Sequence, residues 1–318
     1  MNSAQSTNEF ALIKQFFSQG FPLHANTVLA VGDDCSIVTP PQQHTLVQSL
    51  DTFVANLHFP DNAPADLIAE RCLRCATSDL AAMGAQPYGF HLGLTLADAN
   101  SAWLTKFSQG LKDCAQTMGM SLLGGDTTKG NQLVISMAVF GWLPEGKALR
   151  RDGAKVGDEV WVSDTIGSAA LALAQVLKQP DVIAGMAKHY YYPTIQIPLG
   201  IKLLDIANSC MDISDGLLQD AAHLARASGV SLILDAEAIP TAVQQNDPLW
   251  FNCLSGGDDY QLLFTASSER HHQLLNLSLE HSGLRCIGQV VAQTEELVIL
   301  HKQQKRIQLP EHKGFLHF

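Results

Sequence analysis

The chain has 318 residues, 46% of them hydrophobic and 16% charged, which is enough apolar material for two folded domains and too much for disorder. Its formal net charge of −11 argues against a nucleic-acid-binding face, which must be basic, but an acidic pocket can still take a nucleotide once bound metal inverts its sign. The longest apolar run, Leu133 to Leu143, is far short of the roughly 18 residues of a spanning helix, and Lys14 interrupts the N-terminal apolar segment, so neither membrane insertion nor a signal peptide is expected. Helical spacing covers residues 8–19, after the capping candidates Ser6 and Thr7. Thr27 to Val31 reads as a strand running into Gly32-Asp33-Asp34. His44 to Leu50 reads as a second strand, with Asp51 and Thr52 at its end, and a loop carrying His58 follows. Pro64 starts a long helix through Met83 that holds Asp79 near its end. Tyr88 to Leu96 reads as a strand, Ser101 to Met118 as a helix and Met120 to Leu123 as a strand stopping at Gly124-Gly125-Asp126-Thr127-Thr128. Leu133 to Leu143 closes an α+β unit near Pro144.

The second half repeats the style after the basic loop Arg150-Arg151-Asp152-Gly153, which sets the domain boundary: 1–147 and 148–318. Strand Glu159 to Ser163 leads to a helix from Gly167 to Lys178, and helices are expected at 182–189 and 196–207. A strand from Cys210 ends in Asp212-Ile213-Ser214-Asp215-Gly216, ahead of a helix over 217–228. Strand Val230 to Leu234, the turn Gly256-Gly257-Asp258-Asp259-Tyr260 and strand Gln261 to Thr265 come next. A helix over 268–281, strands over 285–292 and 296–301 and an irregular tail, 309–318, complete the chain; the tail is placed to cap a pocket. The seven cysteines are dispersed, which fits reduced thiols in the cytoplasm. Cys72-Leu73-Arg74-Cys75 lies in a helical stretch with no second ligand pair, so burial is preferred to a zinc or redox role.

Carboxylates recur where short apolar strands stop: Asp33-Asp34, Asp51, Asp126, Asp212 with Asp215, and Asp258-Asp259, with Asp79 on a helix. Any one of them reads plainly as a turn former or helix cap, and Asp215 before a helix could be only an N-cap. So many carboxylates in one region repel unless cations lie between them. Several Mg²⁺ ions bridging carboxylate and phosphate oxygens resolve that, because hard cations take oxygen ligands. The glycines beside Asp126 suit close backbone approach to a ligand. No GxxxxGK[ST], GxGxxG, HRD, DFG, HExxH or GxSxG is present, so ATP would have to be held by the acidic turns.

Val31-Gly32-Asp33-Asp34-Cys35, Ser49-Leu50-Asp51-Thr52, Asn56-Leu57-His58-Phe59, Ser78-Asp79-Leu80-Ala81-Ala82-Met83-Gly84-Ala85, Gly124-Gly125-Asp126-Thr127-Thr128, Asp212-Ile213-Ser214-Asp215-Gly216-Leu217 and Ser255-Gly256-Gly257-Asp258-Asp259-Tyr260, in that order, resemble the thiamine-monophosphate kinase family. That family belongs to the superfamily of aminoimidazole ribonucleotide synthetase and selenophosphate synthetase. The resemblance implies two PurM-like α+β domains, mixed or antiparallel sheets packed with helices, and a homodimer formed through N-domain strands. It puts Asp34, Asp51, Asp79, Asp126 and Asp212 on Mg²⁺-ligand positions, with Asp33, Ser49 and Asp215 adjoining. Gly125, Asp126, Arg151 and Ser214 fall on ATP-contacting positions, and Asp126, Asp212 and Asp215 on those central to catalysis. His58 and Asp258 fall on thiamine-monophosphate-contacting positions, and Phe315 matches a C-terminal aromatic that covers the substrate. Two departures concern the substrate side: Asp258 stands where the family often has Glu, and Asn56 stands in a segment that usually contains glycine.

The implied reaction makes thiamine diphosphate and ADP. The accepting phosphate monoester is already anionic near neutral pH, so it needs no general base. Its obstacle is repulsion between two polyanions, which metal neutralisation and in-line positioning relieve. The alternatives are another ATP-dependent synthetase of the superfamily, or a non-catalytic partner protein that binds nucleotide without turnover.

Overall fold

A computed structural model describes residues 9–315; the expected caps Ser6 and Thr7, and the tail beyond Phe315, lie outside them. The chain divides into two compact units. One gathers the chain up to Leu80 with Gln86–Glu145 and Gln179–Asp181; the other gathers Ala81–Ala85, Gly146–Lys178 and the chain from Val182 onward.

The first unit runs α1 (Glu9–Phe16), β1 (Thr27–Leu29), β2 (Ile37–Val38), β3 (His44–Val54), α2 (Ala65–Met83, whose last residues group with the second unit), β4 (Gln86–Leu96), α3 (Ser101–Met118), β5 (Ser121–Lys129) and β6 (Val134–Pro144). Its main sheet has the order β3-β6-β4-β5. Only β4 and β5 are parallel, and α3 is the crossover that a parallel pair requires. Alternation along the strands splits the sheet into two faces. Ile135, Met137, Val139, Phe90, Leu92 and Leu94 are buried on one side, while Leu46 and Leu50 of β3 are 49% and 65% exposed on the other. Ile68, Cys72, Leu73, Ala76 and Leu80 of α2 and Phe107, Leu111 and Cys114 of α3 are fully buried. Asn100 caps α3 by accepting from Ala102 N and Trp103 N, and Gly119 ends it in the left-handed region.

In the second unit β7 (Asp158–Val162), α4 (Ser168–Lys178), α5 (Ala187–Tyr191), α6 (Ile197–Leu203), β8 (Ser209–Ile213), α7 (Leu217–Ser228), β9 (Val230–Asp235), α8 (Trp250–Ser255), β10 (Gln261–Ser267), α9 (His271–Leu277), β11 (Arg285–Ala292), β12 (Val298–Lys302) and β13 (Lys305–Ile307) follow in turn. They form a seven-stranded sheet ordered β13-β12-β9-β11-β7-β10-β8, antiparallel except where β12 joins β9. Leu217, Leu218, Ala221, Leu224 and Ala225 make the buried stripe of α7, packed with Val160, Leu232, Leu263 and Leu300 into one core. Both units are thus helices packed on mixed, mainly antiparallel sheets, an α+β architecture.

Several elements differ from the sequence reading. β3 continues past Leu50 to Val54, so Asp51 and Thr52 lie within a strand, paired with Met137 and Ser136. β5 does not stop at Leu123 but runs through Gly124-Gly125-Asp126 to Lys129, because β4 offers it partners as far as Leu96. The first helix ends at Phe16, and the expected helices over 182–189, 196–207 and 268–281 become α5, α6 and a 3₁₀ turn leading into α9. β2, α8 and β13, all short, carry no periodicity long enough to read. Among the described residues, no helix is long and apolar enough to cross a membrane.

Candidate active site

Alternation along β3 puts Ser49 and Asp51 on the same face as buried Phe53. There Ser49 Oγ donates a short hydrogen bond to Asp79 Oδ2, so Asp79, late on α2, is aimed at the strand rather than at solvent. Asp33 and Asp34 are both exposed, with Asp34 N donating to Asp33 Oδ1 at 2.8 Å. Asp126 is exposed on β5 opposite Gly93. The preceding glycine is required for a reason that the sequence reading did not foresee: a Cβ on Gly125 would run into the Leu92 carbonyl of the neighbouring strand. Close approach within the sheet, rather than approach to phosphate, already dictates glycine there.

His58 sits in the loop after β3, its Nδ1 accepting from Val54 N at 2.9 Å and its ring edge-on to Phe53. That bond puts the ring proton on Nε2. Arg71 Nε donates to the His58 carbonyl at 3.2 Å. Asn56 takes φ +63°, a left-handed conformation that asparagine tolerates better than most residues, and its side chain is paired with Asp61. Asn56 thus keeps a backbone shape that glycine adopts readily, so this departure from the family pattern does not disturb the loop.

In the second unit Asp212 is a buried residue of β8, paired with Leu262. Gly216, not Asp215, is the N-cap of α7, and it makes no side-chain cap. The plain reading of Asp215 as a cap therefore fails. Its role is filled from inside the helix: Asp220 Oδ2 accepts from Asp215 N at 3.0 Å and Gly216 N at 3.1 Å. Asp220 is 1% exposed. Burial first, then the charges of Asp212 and Asp215, push its carboxyl up to about 8.

Among the described residues, Asp215, Asp220 and His223 are the three metal-capable side chains whose ligand atoms lie within 4.8 Å of one another. Asp220 and His223 were absent from the sequence-derived site; an aspartate and a histidine three positions apart on one helix face was the available signal. Asp33, Asp34, Asp51, Asp79 and Asp126 form no such group in the first unit.

Ser214 contributes its carbonyl to Asp258 N at 2.8 Å. Asp258 adopts φ +64°, and Tyr260 Oη donates to its Oδ1 at 3.2 Å. Phe315 is 41% exposed; its N–H donates to the Asp215 carbonyl at 3.0 Å, and Gln219 Nε2 donates to its carbonyl at 2.8 Å. The tail before it, including Leu309 and Lys313, lines a cavity of about 570 Å³ against α7. Arg150 is clamped by Asp152 at 2.8 and 2.6 Å, whereas the neighbouring Arg151 is exposed and anchored through its carbonyl by Ser228 Oγ. Cys72 and Cys75 are buried on α2, and burial raises the Cys72 thiol well above its ordinary value.

Residues 32–143 match the family model of AIR synthase related protein, N-terminal domain, and 155–301 match its C-terminal domain. The chain is 38% identical over 324 residues to a thiamine-monophosphate kinase of Escherichia coli K12, covering 98% of each. It is similar to the crystal structure of thiamine-monophosphate kinase from Stenotrophomonas maltophilia K279a, with TM-score 0.80, 33% identity and coverage of 89% and 93%. It is also similar to a structure described as AaThiL complexed with AMPPCP and TMP, with TM-score 0.75, 26% identity and coverage of 100% and 99%.

Proposed function

Because this chain belongs to the thiamine-monophosphate kinase family of AIR synthase related proteins, we propose that it transfers the γ-phosphoryl group of ATP directly to the phosphate of thiamine monophosphate, in line, giving thiamine diphosphate and ADP. The observation that carries this reading is the end-to-end match to kinases of that name, over 98% of the chain. A similar structure, described as bound to AMPPCP and TMP, supports the same pair of ligands.

The donors at the candidate metal positions are all oxygens: the carboxylates of Asp33, Asp34, Asp51, Asp79, Asp126, Asp212 and Asp215, with the hydroxyl of Ser49 already turned to Asp79. Such a set fits Mg²⁺ and not a soft metal. Mg²⁺ held there would neutralise the phosphate oxygens of two polyanions. The chain's own residues do the rest. Gly125 and Ser214 offer backbone and hydroxyl to the nucleotide, and Arg151 offers an exposed guanidinium for phosphate. His58 presents Nε2–H, and Asp258 a carboxylate suited to the cationic ring of thiamine, while Phe315 supplies an apolar cover. No residue need act as general base, because the accepting phosphate is already ionised.

We also read the protein as cytoplasmic and as a homodimer. The half-exposed leucines Leu46 and Leu50 on the open face of β3 support pairing through that sheet. Light scattering should give twice the chain mass, and a monomer at micromolar concentration would rule this out. Incubation with Mg²⁺, ATP and thiamine monophosphate, followed by chromatography of the thiamine esters, tests the activity. Thiamine diphosphate is the expected product. ATP binding with no turnover would favour a non-catalytic partner protein, and ATP consumption only with another acceptor would favour a sister synthetase.

A further inference from the structure

Beside the residue read as contacting the acceptor lies one that touches no substrate in that reading yet governs the loop. Gly257, Asp258 and Tyr260 have φ of +70°, +64° and +53°, a run of left-handed backbone that two of the three adopt as non-glycine residues. Such geometry persists only where the surroundings over-determine it. Glycine is required at 257, where a Cβ would collide with the Ser214 carbonyl. Two backbone bonds tie the loop to the end of β8: Asp258 N to Ser214 O and Tyr260 N to Ile213 O, both 2.8 Å. The third tie comes from Asp259. Its Oδ1 accepts from Gly167 N at 2.7 Å, joining the loop to a different segment, the residue before α4. Asp259 is 7% exposed.

We propose that Asp259 is a positioning residue for the acceptor: through Gly167 it locks the 256–260 loop so that the Asp258 carboxylate, also held by Tyr260 Oη, is presented to thiamine monophosphate. This rests on the reading of Asp258 as an acceptor-binding residue. The other carboxyl oxygen, Oδ2, is buried and has no hydrogen-bond partner among the described residues. Burial first, and then Asp258 and Asp220, raise this carboxyl well above the ordinary range. What the bond from Gly167 N uses is an acceptor oxygen of Asp259. An amide of the same shape should serve as well.

The test compares Asp259→Asn, Asp259→Ala and Asp258→Asn by steady-state kinetics with each substrate varied, alongside thermal unfolding. Asp259→Asn keeps the acceptor for Gly167 N and should leave both KM values within about threefold of wild type. Asp259→Ala should raise KM for thiamine monophosphate by roughly tenfold, with KM for ATP within about twofold. Asp259→Leu, which fills the space without an acceptor, gives the same readout if the Ala variant does not accumulate. A lowered melting temperature in Asp259→Ala with both KM values unmoved would make the residue merely structural and overturn the proposal, as would Asp259→Asn behaving like Asp259→Ala. Asp258→Asn retains the left-handed backbone and loses the charge, so it should raise KM for the acceptor. If it does not, the reading of Asp258 fails independently, and the proposal goes with it.

Discussion

At the scale of single residues, the carboxylates divide into those that face solvent and those that the fold encloses. Asp33, Asp34 and Asp126 are exposed and stay hydrated, whereas Asp220 and Asp259 are buried, and burial raises both carboxyls above the ordinary range. Asp220 supplies a test with a definite sign. Its carboxyl titrates at about 8 in the fold against roughly 4 in an unfolded chain. Between those values the folded state holds a proton that the unfolded state releases, so its stabilising contribution is complete below about pH 4 and is lost as pH rises to about 8. Urea unfolding without divalent metal should show wild type losing stability from pH 5 to pH 8 relative to Asp220→Asn. If Asp212 and Asp215 hold Mg²⁺ as proposed, adding the metal should narrow the gap by neutralising them. Parallel curves for the two proteins would show that Asp220 is not the group described.

The elements explain why these residues stand where they do. β5 carries Asp126 not on a turn but on a paired edge strand, and Gly125 is the residue that lets it pass Leu92. Gly125→Ala should therefore destabilise the first unit by about 1–3 kcal/mol or more, the range for forcing an extra methyl into packed structure, seen as a lower melting temperature. An unchanged melting temperature would mean that the sheet yields easily there. The long helices α2 and α3 and the alternating strands β4 and β6 were legible in the sequence because their periodicity runs over ten residues or more. β3 and β5 were cut short because Asp51 and Gly124-Gly125 look like terminators, and only the register with β6 and β4 shows that pairing overrides them. The individual acidic positions could be named from their motifs. The contact of Ser49 with Asp79, the back-cap by Asp220 and the tie from Asp259 to Gly167 could not, since each joins residues whose meeting depends on side-chain direction or on distant segments.

For the whole molecule, a chain with net charge −11 and no recognised nucleotide motif would, on the proposed reading, bind polyanions through oxygen ligands carried within strands, on a helix and in turns instead of concentrating them in one glycine-rich loop. The same economy explains why no base or nucleophile needs to be found: phosphoryl transfer between two anions is limited by repulsion and position. The central claim is therefore that carboxylates acting through Mg²⁺ carry the rate. It is tested most directly by titrating Mg²⁺ into the thiamine diphosphate-forming reaction for wild type and Asp126→Asn side by side, with melting curves of both. The account predicts turnover abolished by chelator, a fall on the order of 100-fold or more in Asp126→Asn and nearly coincident melting curves without ligands. An Asp126→Asn protein that keeps most of its activity, or a wild type indifferent to chelator, would contradict it.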